Sequence, residues 1–152
     1  SRLLSFATVR ADENVAGNLG VELHSPVLQF SRVRLADGVP MALETVAIPE
    51  KLVPGLARDD LEASLYEVLS AHYGIAVSSA RVTIDPVTPD ARSSELLGIT
   101  ADQACLRVRM VDMDARNRVI MIAHCIYRGD RYQLTADVTG SAFSPRNPER
   151  VA

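Results

Sequence analysis

Apolar positions alternate with polar ones over several stretches of this chain and recur at helical spacing in one. Leu3 to Arg10 alternates loosely and predicts a strand. Pro26 to Leu35, rich in β-branched and aromatic residues, predicts another. Met41 to Ile48 is its partner, stopped by Pro49. Asp59 and Glu62 have capping-box spacing ahead of Leu61, Leu65, Val68, Leu69 and Tyr73, which recur at helical period. A helix is therefore expected over Asp59 to Tyr73, closed by Gly74, with His72 on its apolar side in the core. Val77 to Asp85, Cys105 to Asp112, Val119 to Tyr127 and Tyr132 to Val138 read as strands. Two short helices complete the layout. One is capped by Asp12 and ended by Gly20; the other opens at Thr88-Pro89 and ends at Leu97-Gly98. Asp85 and Asp90 flank the proline-rich turn before the second and read as caps.

The two halves of this pattern match. Val15 to Val21 and Ser93 to Ile99 each put a short helix before Leu-Gly and a β-branched residue. In each, a strand then opens at an apolar pair (Val27-Leu28 or Cys105-Leu106) and turns back into an apolar partner. This is an internal repeat of roughly 45 residues with the Asp59 helix between the copies. An α+β fold follows, an antiparallel sheet of two helix-hairpin units with the helices on one face.

Composition narrows the function. The 152 residues fit one domain, with 47% hydrophobic and 23% charged residues, enough to bury a core. A net charge of −3 opposes nonspecific nucleic-acid binding by this segment. No apolar run approaches the roughly 20 residues of a membrane span, and no secretory signal is read at the start. Cys105 and Cys125 fall in predicted strands without metal-ligand spacing, so they read as reduced core thiols in a cytoplasmic protein. His24, His72 and His124 are scattered and form no nucleophile or metal motif, and Gly17, Gly20 and Gly38 form no phosphate loop. No cofactor or metal is expected.

The chemistry that remains lies in the first hairpin. Arg32 and Arg34 are two apart on a strand and point the same way. A two-residue Asp37-Gly38 turn would send Glu44 to the opposite face. A three-residue Ala36-Asp37-Gly38 loop, with Gly38 left-handed, brings Glu44 to theirs, and this form is expected. Glu44 then pairs with one arginine and leaves the other guanidinium for an incoming anion, to which its planar fork is suited. On this reading Arg32→Ala abolishes anion binding and leaves the fold intact. An ordinary solvated strand face with a surface ion pair remains the alternative. Ser64, expected in a helical turn, and Tyr66 are open to the same two readings.

Taken in order, Ser31 to Glu44, Ile48-Pro49, Ser64-Leu-Tyr66, Leu97-Gly98-Ile99 and Tyr127-Arg-Gly-Asp-Arg-Tyr132 resemble the UTRA domain. That is the effector-binding domain of GntR-type transcriptional regulators of the HutC subfamily. The resemblance runs from about Leu3 to Val138. It implies a chorismate-lyase-like α+β fold, a homodimer and a non-enzymatic sensor of a small anionic metabolite, phosphosugar-like or carboxylate. It also implies an effector-binding and dimerisation domain over residues 1–140 and a tail over 141–152. An N-terminal winged helix-turn-helix, absent from this chain, would read operator DNA. The family's ligand positions fall on Arg32, Arg34, Glu44, Ser64 and Tyr127, with Tyr66 and Met121 beside them. By resemblance, the arginines and Ser64 hold the anionic group, while Glu44 and Tyr127 orient the arginines or the ligand body. Relatives that sense phosphorylated amino sugars carry a glutamate where this chain has Met121, so a different or less polar ligand body is expected. Two alternatives stand beside the sensor: a lyase-like enzyme on the same fold, and a dimerisation module with a vestigial pocket.

Overall fold

The computed structural model describes residues 1–62 and 64–137. Six strands form one antiparallel sheet: β1 (Arg2–Arg10), β2 (Pro26–Ala36), β3 (Val39–Pro49), β4 (Ser79–Val87), β5 (Cys105–Met113) and β6 (Val119–Arg128). Their spatial order is β1-β2-β3-β6-β5-β4. Three helices accompany them: α1 (Glu13–Leu19), α2 (Leu65–Tyr73) and α3 (Ala91–Leu97). Residues 132–137 form no strand, so the last strand expected over Tyr132 to Val138 is absent through Asp137. Val138 and the expected tail over 141–152 lie outside the described residues.

The repeat is larger than its sequence signature. Each unit is strand, helix, strand, strand, and the units meet along β3 and β6. Asp12 and Asp90 accept from the backbone N–H groups of Val15 and Ser93, so Asp90 caps α3 rather than Thr88. Gly20 and Gly98 end α1 and α3 in the left-handed conformation. Each hairpin carries a β-bulge just past one register pair, Arg34 with Ala42 in the first and Asp112 with Met121 in the second. Asp12 and Asp90, Gly20 and Gly98, and Arg34 and Asp112 are all related by one constant offset along the chain.

The helices do not share a face. Leu28, Phe30, Val46 and Ile48 lie beneath α2 with Leu61, Leu65, Val68, Leu69, Ile120 and Met121. Their strand neighbours Val27 and Ala47 point the other way, against Ala16 and Leu19 of α1. α3 lies on the α1 side, where the Arg128 guanidinium reaches the Leu97 carbonyl. Both faces of the central strands are thus apolar, which hides strict alternation. Asp85 is not a cap. It sits in β4 and accepts from Arg107 and Arg109 across the strand pair. His72 is exposed on α2, outside the core.

The helix expected over Asp59 to Tyr73 is broken. Asp59–Glu62 is a 3-10 turn, and α2 begins only at Leu65. The Asp60 carboxylate accepts from the Ala57 N–H. In a continuous helix the Leu61 carbonyl would accept from the N–H four residues on; here it accepts from Arg32, at 3.3 Å.

Candidate functional site

The hairpin brings Arg32, Arg34 and Glu44 together by a route the sequence did not suggest. The turn is the two-residue Asp37-Gly38 form, with both residues left-handed (φ 50° and 76°). By itself that turn would put Glu44 on the wrong face. The bulge corrects it. Leu35 pairs with Pro40 and Arg34 with Ala42, so Met41 is the extra residue, and Glu44 comes level with Arg32.

The two arginines then differ in their surroundings. Arg32 is buried. Its Nε donates to the Glu44 carboxylate, its Nη1 to the Leu61 carbonyl, and its guanidinium lies 5.5 Å from the centre of the Phe30 ring. Arg34 keeps half its side chain exposed and stands 3.9 Å from the other Glu44 oxygen. Glu44 is buried between them, so the pair presents one fixed guanidinium and one that is barely engaged. Ser64 is the residue before α2, and its hydroxyl makes no capping bond. Because Arg32 holds Leu61, the 3-10 turn ahead of α2 lies over the arginine end of the face. Backbone N–H groups at a helix start and guanidinium forks both favour an anion. A hollow of about 140 Å³ opens beside Arg32, between Leu3, Arg58 and Leu61. Roomier hollows lie elsewhere, among them one beside Lys51 and Ile75 and one on the α1 face beside Gln29 and His124.

Three further residues share this face. Cys125 is level with Glu44, its Sγ 4.0 Å from the carboxylate, and burial with that nearby charge pushes the thiol up to about 11. Both cysteines are free and buried. Tyr127 is level with Ala42 and stacks on Tyr132, ring centres 3.9 Å apart; burial raises its hydroxyl. Met121 is buried in the core cluster, away from the arginines. Its register partner is Asp112 on β5.

Asp112 has no counterpart in the sequence reading. It is 1% exposed, and one oxygen accepts from the Tyr66 hydroxyl at 2.8 Å. The other oxygen is buried with no partner among the described residues. Burial pushes the carboxyl up, partly offset by the Tyr66 bond, and Tyr66 is raised in turn by burial and by Asp112. An acceptor buried unpaired costs about 1–3 kcal/mol. The available signal was the face of β5, where Leu106, Val108 and Met110 run apolar and Asp112 ends the stripe.

The Tyr127 to Tyr132 run also has a structural part. Arg128 grips Asp130 through two nitrogens and donates to the carbonyls of Pro40 and Leu97. The ring of contacts ties the end of β6 to β3 and to the last carbonyls of α3, where a cation is favoured. At Gly129 a side chain would meet the Ala104 carbonyl at 2.5 Å. Among the described residues no group of three or more His, Cys, Asp or Glu is placed to hold a metal. No helix among them is long and apolar enough to cross a membrane.

Known proteins share this chain's sequence and architecture. The UTRA domain model matches residues 1–133. The HTH-type transcriptional repressor PhnF of Mycolicibacterium smegmatis is 41% identical over 135 residues, which are 88% of this chain and 55% of PhnF. NagR of Bacillus subtilis, also named an HTH-type transcriptional repressor, is 29% identical over 132 residues, 87% of this chain and 54% of NagR. The chain thus spans about half the length of the curated relatives it matches. The crystal structure of the effector domain of PhnF superposes with a TM-score of 0.84 at 40% identity, covering 91% of this chain and 86% of that one. A GntR-family transcriptional regulator from Enterococcus faecalis gives 0.84 at 25% identity, covering 90% and 99%. The fold is therefore the chorismate-lyase-like one shared by GntR effector domains. With a family match over nearly all the described residues and a solved effector domain at 40% identity, the chain belongs to the UTRA domain family.

Proposed function

We propose that this chain is the effector-sensing and dimerisation domain of a bacterial transcriptional regulator, and that it holds a small anionic metabolite at Arg34, Arg32 and Ser64. The observation that carries the reading is the asymmetry of the arginine pair. Glu44 and Leu61 fix one guanidinium in the core and leave its neighbour available on the same face. The uncapped Ser64 hydroxyl and the start of α2 complete the anion-binding end. Glu44 and Tyr127 orient the arginines or the ligand body. The relatives' names point to regulation rather than catalysis.

The effector acts by population shift. It favours one arrangement of a homodimer through contacts that differ between arrangements, with a coupling of about 1–3 kcal/mol. That arrangement sets the spacing of DNA-binding heads in the rest of the regulator, which must match operator half-sites.

A thermal-shift screen of phosphosugars, carboxylates and amino-acid catabolites tests the site. A ligand present at about 100 times its Kd adds about 2.7 kcal/mol of apparent stability. The stabilised hit should lose its effect in Arg34→Ala. If no anionic compound raises Tm, the sensing role fails and a dimerisation module remains. Analytical ultracentrifugation tests the dimer.

A further inference from the structure

The two outermost strands of the sheet are the leading strands of the two repeats, and their outer sides differ. β1 has a bulge between Leu3 and Ser5 and an arginine at each end, Arg2 and Arg10, which keep other strands from adding to it. β4 pairs with β5 without a break from Ser79 to Val87, and no described residue pairs with its other side. Val82 and Ile84 are 46% and 40% exposed on this strand. Ile84 ends the row that runs from Arg32 through Glu44, Cys125 and Val108, so both lie on the arginine face, beyond the strands that α2 covers. A long edge with exposed β-branched residues is a template for another strand. Pro86 is level with Leu106 and has no N–H to give, which sets its nitrogen on the outer side of β4. By alternation the backbone groups of Val82 and Ile84 point outward too.

β4 is complementary to itself. Laid antiparallel on the same strand of a second copy about Thr83, it sets Arg81 opposite Asp85, Val82 opposite Ile84, and Thr83 opposite Thr83. The charged pairs fall on one face, where Asp85 already accepts from Arg107 and Arg109. The apolar pairs fall on the other, continuing the stripe of Val108 and Met110. Each Val82–Ile84 pair exchanges both its N–H···O bonds, and opposite charges and β-branched pairs across the seam add to these. β1 laid on itself about its own middle residue, Phe6, would set Arg2 against Arg10. We propose that β4 is the dimerisation seam: a second copy of this chain adds its β4 antiparallel across a twofold axis at Thr83, and the two six-stranded sheets become one. The proposal rests on the homodimer reading above and adds the surface that forms it.

Mild oxidation and sedimentation of the whole chain test this. Cys105 and Cys125 are buried, so an introduced surface thiol is the one that cross-links. Thr83→Cys should give a disulfide-linked dimer, because opposed residues of a non-hydrogen-bonded pair lie about 4.5 Å apart at Cα, within disulfide reach. Ser5→Cys, the equivalent place on β1, should stay monomeric in the denaturing gel. Arg81 is exposed, and Arg81→Glu sets a carboxylate against Asp85 at both ends of the seam, so it should raise the dimer dissociation constant about tenfold or more. A parent chain that dimerises while Thr83→Cys links no faster than Ser5→Cys, or while Arg81→Glu leaves the dissociation constant unchanged, overturns the seam alone and leaves the dimer to another surface. A parent chain that sediments as a monomer at every concentration overturns the homodimer reading and this inference with it.

Discussion

Arg32 and Arg34 carry the same group on the same strand face and differ in what surrounds it. Removing Arg32 leaves the buried Glu44 carboxylate without its partner, so Arg32→Ala should cost about 3–5 kcal/mol in urea unfolding. Burial sets this cost against the expectation that the variant keeps its fold, and the urea midpoint decides between them. Arg34 is half exposed and its pair is long, so Arg34→Ala should stay within about 1 kcal/mol of the parent, and it is the cleaner probe of binding. Burial raises the Asp112 carboxyl, so the folded chain keeps that proton to a higher pH than the unfolded chain does. Stability from this group is full below the unfolded pKa of about 3.9 and falls as pH climbs through the raised folded value. Asp112→Asn should therefore gain on the wild type between about pH 4 and pH 7; an equal difference at both ends would mean that charge is not the cause. Cys125, pushed up to about 11 beside Glu44, should resist alkylation by iodoacetamide at pH 7.5 in the folded state and react once unfolded.

At the scale of elements, the first hairpin shows how far a strand pattern can be read. The placement of Arg32, Arg34 and Glu44 on one face was legible from spacing, but only if the loop had an odd residue. The odd residue exists as the bulge at Met41, while the turn keeps two residues. Nothing in the composition of Leu35 to Ala42 separates these two solutions, because Asp-Gly suits either turn. The helix over Asp59 to Tyr73 was misread for a comparable reason. Its apolar period is real, yet a side chain from β2 occupies the Leu61 carbonyl, and no local pattern reports a partner 29 residues away. Ser64 consequently changes from a helical residue to the residue before α2. The Arg128–Asp130 fork was hidden too, since its carbonyl partners, Pro40 and Leu97, come from other elements. Gly129→Ala should cost about 1–3 kcal/mol by pressing a methyl group against the Ala104 carbonyl, read by urea denaturation. A neutral result would mean that this corner yields.

The whole molecule is two copies of one unit sharing a sheet and a core. Leu28, Phe30, Val46 and Ile48 come from the first copy, Ile120, Met121 and Ala123 from the second, and α2 covers both. The first unit keeps only a small buried cluster around α1, and the larger core under α2 draws on both copies, so thermal unfolding should be a single transition with coincident far-ultraviolet and tyrosine signals. Two separated transitions would show that the units fold independently. The duplication was legible because its helix ends and hairpin starts are short, local signals. Its leading strands β1 and β4 were seen as strands but not as part of the repeat, since edge strands carry little shared apolar pattern. Equivalence of the copies has one more effect. Two identical halves would leave the shared sheet face the same when read from either end. With a guanidinium at Arg34 and a carboxylate at the matching place, Asp112, equivalent points of the two halves carry opposite charge, and the face has a direction that its backbone lacks.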